Sequence, residues 1–377
     1  MNGALDLSDH QRAILRAVLA RPGLRRGDLS DALGISAQTT MRAVLPMIDR
    51  GVLRETQIAS GGRGKPASRL DFVGGSLATL GISLAVDRVR VEICDLAGTP
   101  LAAQSTRALY DSAAVQLADL DRLIGAARAN LPGATRVVGA GVSAQGYLMA
   151  GGTRLAAKAD PAGWARVDLS ARLEARLGVP VRLMNDGRTL ASSLILTAQQ
   201  DSFICLHIGS GIGGGVVSQR ALVPGANGNA GEFGALFPEG PDRPVEARFL
   251  AAAGRDGWEG WPGLDALPEA EAAPLRAYLD RAAGVLGAGL TQVLALLDYE
   301  AVYLCSRMPA DLLAALAARI RVDPIGTDRF GRAQALHNPV PPVIARHVPN
   351  HARLACRMAL DRVLNAPDAA PPLSATA

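Results

Sequence analysis

A chain of 377 residues with 49% hydrophobic and 20% charged residues exceeds one typical domain and is ample for a sizeable core, so two or three globular units are expected. No apolar run is long enough to span a bilayer, and the N-terminal MNGALDLSDHQR lacks a signal-peptide pattern, which argues against a membrane or secreted protein and for a cytoplasmic one. Residues 1–73 hold 11 Lys+Arg against 7 Asp+Glu while the remainder balances at 28 of each, so the whole net charge of +4 sits on one basic segment, whose partner is expected to be a polyanion.

Ser8, with Gln11 three residues on, forms a capping-box pattern ahead of Ile14, Leu15, Val18 and Leu19 at helical spacing, and Pro22-Gly23 ends that helix. A short helix through Asp28–Leu33, a turn at Gly34-Ile35 and a third helix capped by Ser36 complete a helix-turn-helix pattern. Gln38, Thr39, Thr40 and Arg42 occupy the first turns of the third helix, where a recognition helix meets base edges. Pro46 falls inside that helix and is expected to distort it by removing a hydrogen bond. Gly51-Val52-Leu53 and Arg69–Phe72 read as the strands of a wing whose basic tip carries Arg63 and Lys65, suited to the minor groove. A protein-interaction domain is the competing reading of such a three-helix segment; the basic tip and the charge asymmetry favour double-stranded DNA.

Gly74-Gly75-Ser76 is the expected linker. Three strands come next (80–84, 89–94, 101–105), then a helix at 113–130, a strand at 137–142, a loop at Ser143–Gly146, a helix at 169–177 and a strand at 181–184 that ends on Asn185-Asp186. Another apolar run, Phe203–Ile208, begins a second α/β series with helices at 272–297 and 310–319, a strand at 301–305 and a last helix at 352–364. Residues 367–377 form a Pro/Ala/Ser tail with no packing pattern and are expected to be disordered. Cys94, Cys205, Cys305 and Cys356 sit apart in apolar runs and read as buried free thiols.

The densest glycine run, Gly209-Ser210-Gly211-Ile212-Gly213-Gly214-Gly215, fits two roles equally well: a loop whose backbone N–H groups meet a ligand, or a tight hairpin between two strands. The residues on its C-terminal side are more specific. GSGIGGG, then Pro224-Gly225-Ala226-Asn227-Gly228, then Ala230-Gly231-Glu232-Phe233-Gly234 resembles the signature of the ROK family of repressors and sugar kinases. Asn185-Asp186, Gly163-Trp164 and Leu296-Leu297-Asp298 extend the resemblance over most of residues 76–370.

That resemblance implies an α/β fold of the actin-like, ribonuclease-H-type, two-lobed sugar-kinase class, here carrying an N-terminal winged helix-turn-helix domain. The expected domains are 1–73 for DNA binding, 76–190 plus 352–364 for the first lobe and 191–350 for the second. The family binds a sugar between its lobes, using the Asp of Asn-Asp as catalytic base. Here Asn185, Asp186, Glu232 and Glu246 survive as a hydroxyl-binding set for a sugar or sugar-derived effector; a helix cap is the other, compatible role of Asn185-Asp186.

Other family features are missing. Where kinases carry D-x-G-G-T, this chain has Ser83-Leu84-Ala85-Val86-Asp87, and Cys305-Ser306-Arg307 replaces the glycines that admit adenosine, so no catalytic residues and no ATP turnover are expected. The family's zinc-binding His and cysteine-rich segment correspond to Ala235 and to 236–245, which has no cysteine, so no metal or other cofactor is expected. The expected protein is a transcriptional regulator, read as a repressor, with a kinase-dead sugar sensor. It should be a homodimer on an operator, with a dimer of dimers as the larger option. A regulator using the same body as a silent scaffold, and an active sugar kinase, are the alternatives.

Overall fold

The computed structural model describes residues 7–58, 67–85, 88–107, 112–133, 135–149, 152–156, 163–195, 197–323, 340–348 and 350–364. Contacts divide the chain into a first unit of residues 1–146, 151–184 and 352–377 and a second of residues 147–150 and 185–351. The division after Met184 assigns the whole Asn185-Asp186 segment to the second unit.

The first unit opens with α1 (Asp9–Ala20), α2 (Arg26–Leu33), α3 (Ala37–Asp49) and an antiparallel hairpin of β1 (Leu53–Ile58) and β2 (Ala67–Phe72). Local chemistry sets the helix boundaries. Ser8 Oγ accepts from Gln11 N at 3.3 Å while Gln11 Oε1 accepts from Ser8 N at 3.0 Å, which is the expected capping box. Gly34 ends α2 in left-handed backbone at φ 64°, and Ser36 Oγ starts α3 by accepting from Thr39 N at 3.1 Å. Pro46 lies inside α3 without ending it.

Next comes a five-stranded sheet in the order β5-β4-β3-β6-β9, made of β3 (Leu77–Ala85), β4 (Arg88–Asp95), β5 (Pro100–Arg107), β6 (Arg136–Ala144) and β9 (Val181–Asn185). β3 runs antiparallel to β4 and parallel to β6, and β6 continues through Ser143 and Ala144, which the sequence had suggested were loop. Helix α4 (Ala113–Ala129) packs on β4 and β5, and α5 (Leu169–Leu177) precedes β9. Two short strands, β7 (Tyr147–Leu148) and β8 (Leu155–Ala156), lie in the chain between β6 and α5.

The last helix, α10 (His351–Leu364), lies directly on this sheet, because glycines on neighbouring strands remove the side chains that would hold it off. A Cβ on Gly81 would stand 1.8 Å from Ala352 O, and one on Gly141 2.1 Å from Ala355 O. The buried Glu92 accepts from Arg353 Nε at 2.7 Å on one side and pairs with Arg90 at 3.2 Å on the other. The far end of α10 meets the helix-turn-helix head: Leu360, Val363 and Leu364 share one apolar core with Ile14, Leu15, Val44 and Met47, and Arg12 Nη1 donates to Val363 O at 2.7 Å. The short linker is pinned as well, since Gly75 O accepts from Thr135 Oγ1 at 2.7 Å and Ser76 O from Arg136 N at 3.0 Å. The head is therefore packed onto this unit.

In the second unit, α6 (Asp186–Leu194) leads to a five-stranded sheet in the order β12-β11-β10-β13-β14. Its strands are β10 (Phe203–Ile208), β11 (Ile212–Ser218), β12 (Ala221–Leu222), β13 (Ala301–Ser306) and β14 (Val343–His347). The glycine run thus forms a hairpin, with β10 antiparallel to β11 and His207 opposite Gly213, while β13 runs parallel to both β10 and β14. Helices α7 (Glu246–Ala252), α8 (Glu269–Leu297) and α9 (Ala310–Arg319) complete it around a core that includes Leu206, Phe237, Phe249, Tyr278, Leu286 and Leu304. All four cysteines are buried and free, with Cys205 Sγ 3.7 Å from Cys305 Sγ.

Candidate functional site

On the head, Gln38 and Arg42 are exposed on α3, and Thr39 is half-buried beside its cap, Ser36. Thr40 requires a correction: it is 0% exposed, with its Oγ1 2.8 Å from Ser30 Oγ and donating to Ser36 O at 3.2 Å. It holds α2 to α3 and has no surface to offer DNA. Met41 and Leu45, which the sequence pattern did not single out, are 45% and 41% exposed on the turns that carry Gln38 and Arg42. An apolar pair beside polar readers suits contact with thymine methyl groups. Arg63 and Lys65 lie outside the described residues. The base of the wing is braced by Glu55, which accepts from Ser68 Oγ at 2.6 Å and pairs with Arg26 of α2.

In the second unit the helix-cap role of Asn185 is visible, since its Oδ1 accepts from Gly187 N at 2.8 Å at the start of α6. Asp186 Oδ1 accepts from the same N–H at 2.7 Å, and its Oδ2 lies 3.5 Å from His207 Nδ1. The His207 ring in turn stands 4.8 Å from that of His351, centroid to centroid. Burial holds both imidazoles at about 4, aided by the Arg307 charge at His207 and first by the other imidazole at His351. At neutral pH the His207 ring in this contact is therefore neutral, despite the salt-bridge distance. Burial also raises Asp186, against the opposing pull of His351 and the Gly187 N–H.

Glu232 faces this group from the glycine-rich loop. Burial, then the charge of Asp186, raises it to about 7, with Arg188 pulling the other way. Arg188 is 5% exposed and its Nη1 donates to Val223 O at 2.9 Å, Ala230 O at 3.1 Å and Pro224 O at 3.4 Å, fastening both ends of the loop that leads to Glu232. Glycines on both elements let α6 approach β11 here: a Cβ on Gly187 of α6 would stand 2.3 Å from Gly214 N of β11.

Glu246 stands in an adjoining network. It is 3% exposed, its Oε1 accepts from Trp258 Nε1 at 2.7 Å, and Arg307 Nε donates to Oε1 and Oε2 at 2.8 and 2.7 Å. The structure thus gathers Asn185, Asp186 and Glu232 with His207 and His351, while Glu246 is engaged by Arg307 and Trp258. His207 had a legible signal, a lone imidazole in the otherwise apolar strand Phe203–Ile208. His351 had none in sequence.

At the elements the family uses for nucleotide, Ser83 and Leu84 continue β3 with a partner on each side, opposite Arg90 and Val89 and opposite Ser143 and Ala144. Val86 and Asp87 lie outside the described residues. Ser306 is fully buried and donates from Oγ to Ile208 O at 2.7 Å, and Gly209 N is taken by Gly211 O at 2.9 Å.

The residues at the family's zinc position do not fit that metal. Ala235 sits in a turn at Phe233–Leu236, and the guanidinium of Arg243 occupies the carbonyls there, donating to Phe237 O and, at 3.2 Å, to Gly234 O. Tyr278 OH donates to Arg243 O at 2.6 Å. A cation covalently part of the chain thus secures the loop. Among the described residues no group of three or more His, Cys, Asp or Glu is arranged to hold a metal ion, and no helix is long and apolar enough to cross a membrane.

Comparison with known proteins agrees with this architecture. Residues 7–54 match the winged helix-turn-helix DNA-binding family and residues 79–251 the ROK family. An uncharacterised protein of Sinorhizobium fredii, y4fQ, is 28% identical over 85% of this chain and 83% of its own length. A beta-glucoside kinase of Listeria innocua is 37% identical over 35% of this chain and 46% of the kinase. A crystal structure of a ROK family transcriptional regulator, a homolog of the E. coli MLC protein, superposes with a TM-score of 0.68 at 17% identity, covering 94% of this chain and 96% of that one. The chain therefore joins an N-terminal winged helix-turn-helix DNA-binding domain to a ROK family domain.

Proposed function

We propose that this protein is a DNA-binding transcriptional regulator, acting as a repressor, whose ROK domain binds a sugar or sugar-derived effector without phosphorylating it. The observation that carries this reading is the helix-turn-helix head with Gln38, Met41, Arg42 and Leu45 exposed on α3, packed through one core against the ROK domain's first unit. Likeness to a ROK family transcriptional regulator across 94% of the chain supports the same conclusion.

Loss of kinase activity is supported by Ser83-Leu84 continuing a strand, by the buried Ser306, and by Arg307 turned toward Glu246. Sugar sensing is supported by the Asn185, Asp186 and Glu232 group, whose acceptors suit hydroxyls and whose loop is held by Arg188. The protein works as a zinc-free homodimer, two heads reading half-sites about one helical turn apart.

The test selects a bound duplex from genomic fragments and measures its affinity by fluorescence anisotropy, with and without glucose, xylose, N-acetylglucosamine, cellobiose and glucose 6-phosphate. A parallel assay follows ATP consumption with the same sugars. Specific binding released by one of them, with no turnover, is expected. Binding that no sugar alters would leave a regulator with a silent ROK scaffold, and sugar-dependent ATP consumption would make the protein a kinase.

A further inference from the structure

His351 is the last residue of the second unit and the first residue of α10, whose remaining residues belong to the first. Its Nδ1 is sealed from solvent and has no hydrogen-bond partner among the described residues. Buried polar atoms are rarely left so, and one whose ring packs on His207 beside Asp186 points to a ligand that completes it. The surroundings fit. The His351 ring lies against His207, whose Nδ1 reaches Asp186 at 3.5 Å, and His351 lies near enough to Asp186 for the two to influence each other's ionisation.

We propose that His351 is an effector-contacting residue, its Nδ1 exchanging a hydrogen bond with a hydroxyl of an uncharged sugar-like ligand held at Asp186. This rests on the sensor reading given under the proposed function. A neutral imidazole offers one donor and one acceptor, which matches a hydroxyl. An anionic ligand would call for a cation directed at it, and the guanidiniums here are directed elsewhere, Arg188 at backbone carbonyls and Arg307 at Glu246. The position has a consequence for regulation. A ligand bonded to His351 acts on the first turn of a 14-residue helix, about 21 Å long, whose last turn shares a core with α1 and α3 and accepts a hydrogen bond from Arg12.

Two substitutions separate this role from packing. H351F keeps a ring against His207 and loses the nitrogens; H351N keeps a polar atom near the Nδ1 position and loses the ring. Calorimetry of the full-length proteins with glucose, xylose, N-acetylglucosamine, cellobiose and glucose 6-phosphate should show wild-type binding to an uncharged sugar, at least tenfold weaker binding by H351F, and H351N within about threefold of wild type. Unchanged affinity in H351F, or equal loss in both variants, overturns the hydrogen bond, and glucose 6-phosphate binding better than every uncharged sugar overturns the ligand class. Should either variant misfold, hydrogen exchange on the wild type decides: saturating sugar should slow exchange in the first turns of α10, and no change there with sugar bound overturns the proposal. If no sugar binds the wild type, the sensor reading has failed and this proposal falls with it.

Discussion

Replacing Arg188 with Met tests how the glycine-rich loop is held. Methionine keeps much of the stem's volume and deletes the guanidinium, so the loss is mainly polar. Two of the bonds from Nη1, 2.9 Å to Val223 O and 3.1 Å to Ala230 O, are of ordinary length, and the third, 3.4 Å to Pro224 O, is at the long limit. Bonds to a charged group contribute about 1.5–3 kcal/mol each, so two give about 3–6 kcal/mol before the cost of dehydrating a guanidinium is subtracted. Taking about 3 kcal/mol as what remains, local opening of residues 223–232 becomes about a hundredfold more frequent, which hydrogen exchange read by mass spectrometry resolves directly. There is an electrostatic corollary. Glu232 stands at about 7 with Arg188 pulling it down, so R188M raises it further and leaves it mostly protonated at neutral pH. Equal exchange in wild type and R188M across this loop would refute the assignment of Arg188 as its anchor.

Three further outcomes are expected. T40V should lower the head's stability by about 1–2 kcal/mol, through its lost bonds to Ser30 and Ser36, and leave DNA affinity at permissive temperature unchanged; R42A should do the reverse, so weakened specific binding by T40V would contradict the burial argument. His207 and His351 are held at about 4 against an ordinary 6.5, so between those values the unfolded chain binds protons that the folded one refuses, and stability falls as pH drops, by up to about 1.4 kcal/mol per pH unit for each ring. Glu232 and Asp186, both raised, oppose this, since a raised carboxylate loses its contribution as pH rises; H207F should therefore show a shallower fall in urea midpoint from pH 6.5 to 4.5 than wild type, and parallel curves would refute the buried neutral ring. Finally, the purified protein should hold no stoichiometric zinc and melt identically with and without EDTA, whereas R243M should melt lower; one zinc per chain by elemental analysis would overturn Arg243 as the loop's fastening.

Sequence alone made legible the chemistry confined to a few neighbouring residues. The Ser8/Gln11 box, the Ser36 cap and helix α9 over Ala310–Arg319 were all readable, because each depends on the backbone within one or two turns. The glycine run was ambiguous for a physical reason. Gly214 and Gly215 are demanded by α6 and by the loop that reaches Glu232, partners distant in sequence, as well as by the hairpin itself. Thr40 was misread because a small polar residue on a recognition helix looks the same whether it faces DNA or Ser30. Strand β14 was missed because it is an edge strand with its residues half-buried or exposed, which leaves no alternation to see. His351 and Arg307 act across long sequence separations, so their partners emerge only from the fold.

The most direct test of the central claim is the affinity of the full-length protein for a duplex selected from genomic fragments, measured by anisotropy across an effector titration. The account predicts specific binding that one uncharged sugar weakens by at least tenfold, a coupling of about 1.4 kcal/mol, with no ATP consumed. Affinity that stays constant across every sugar tested, or a sugar that is phosphorylated while DNA binding is unaffected, would contradict it.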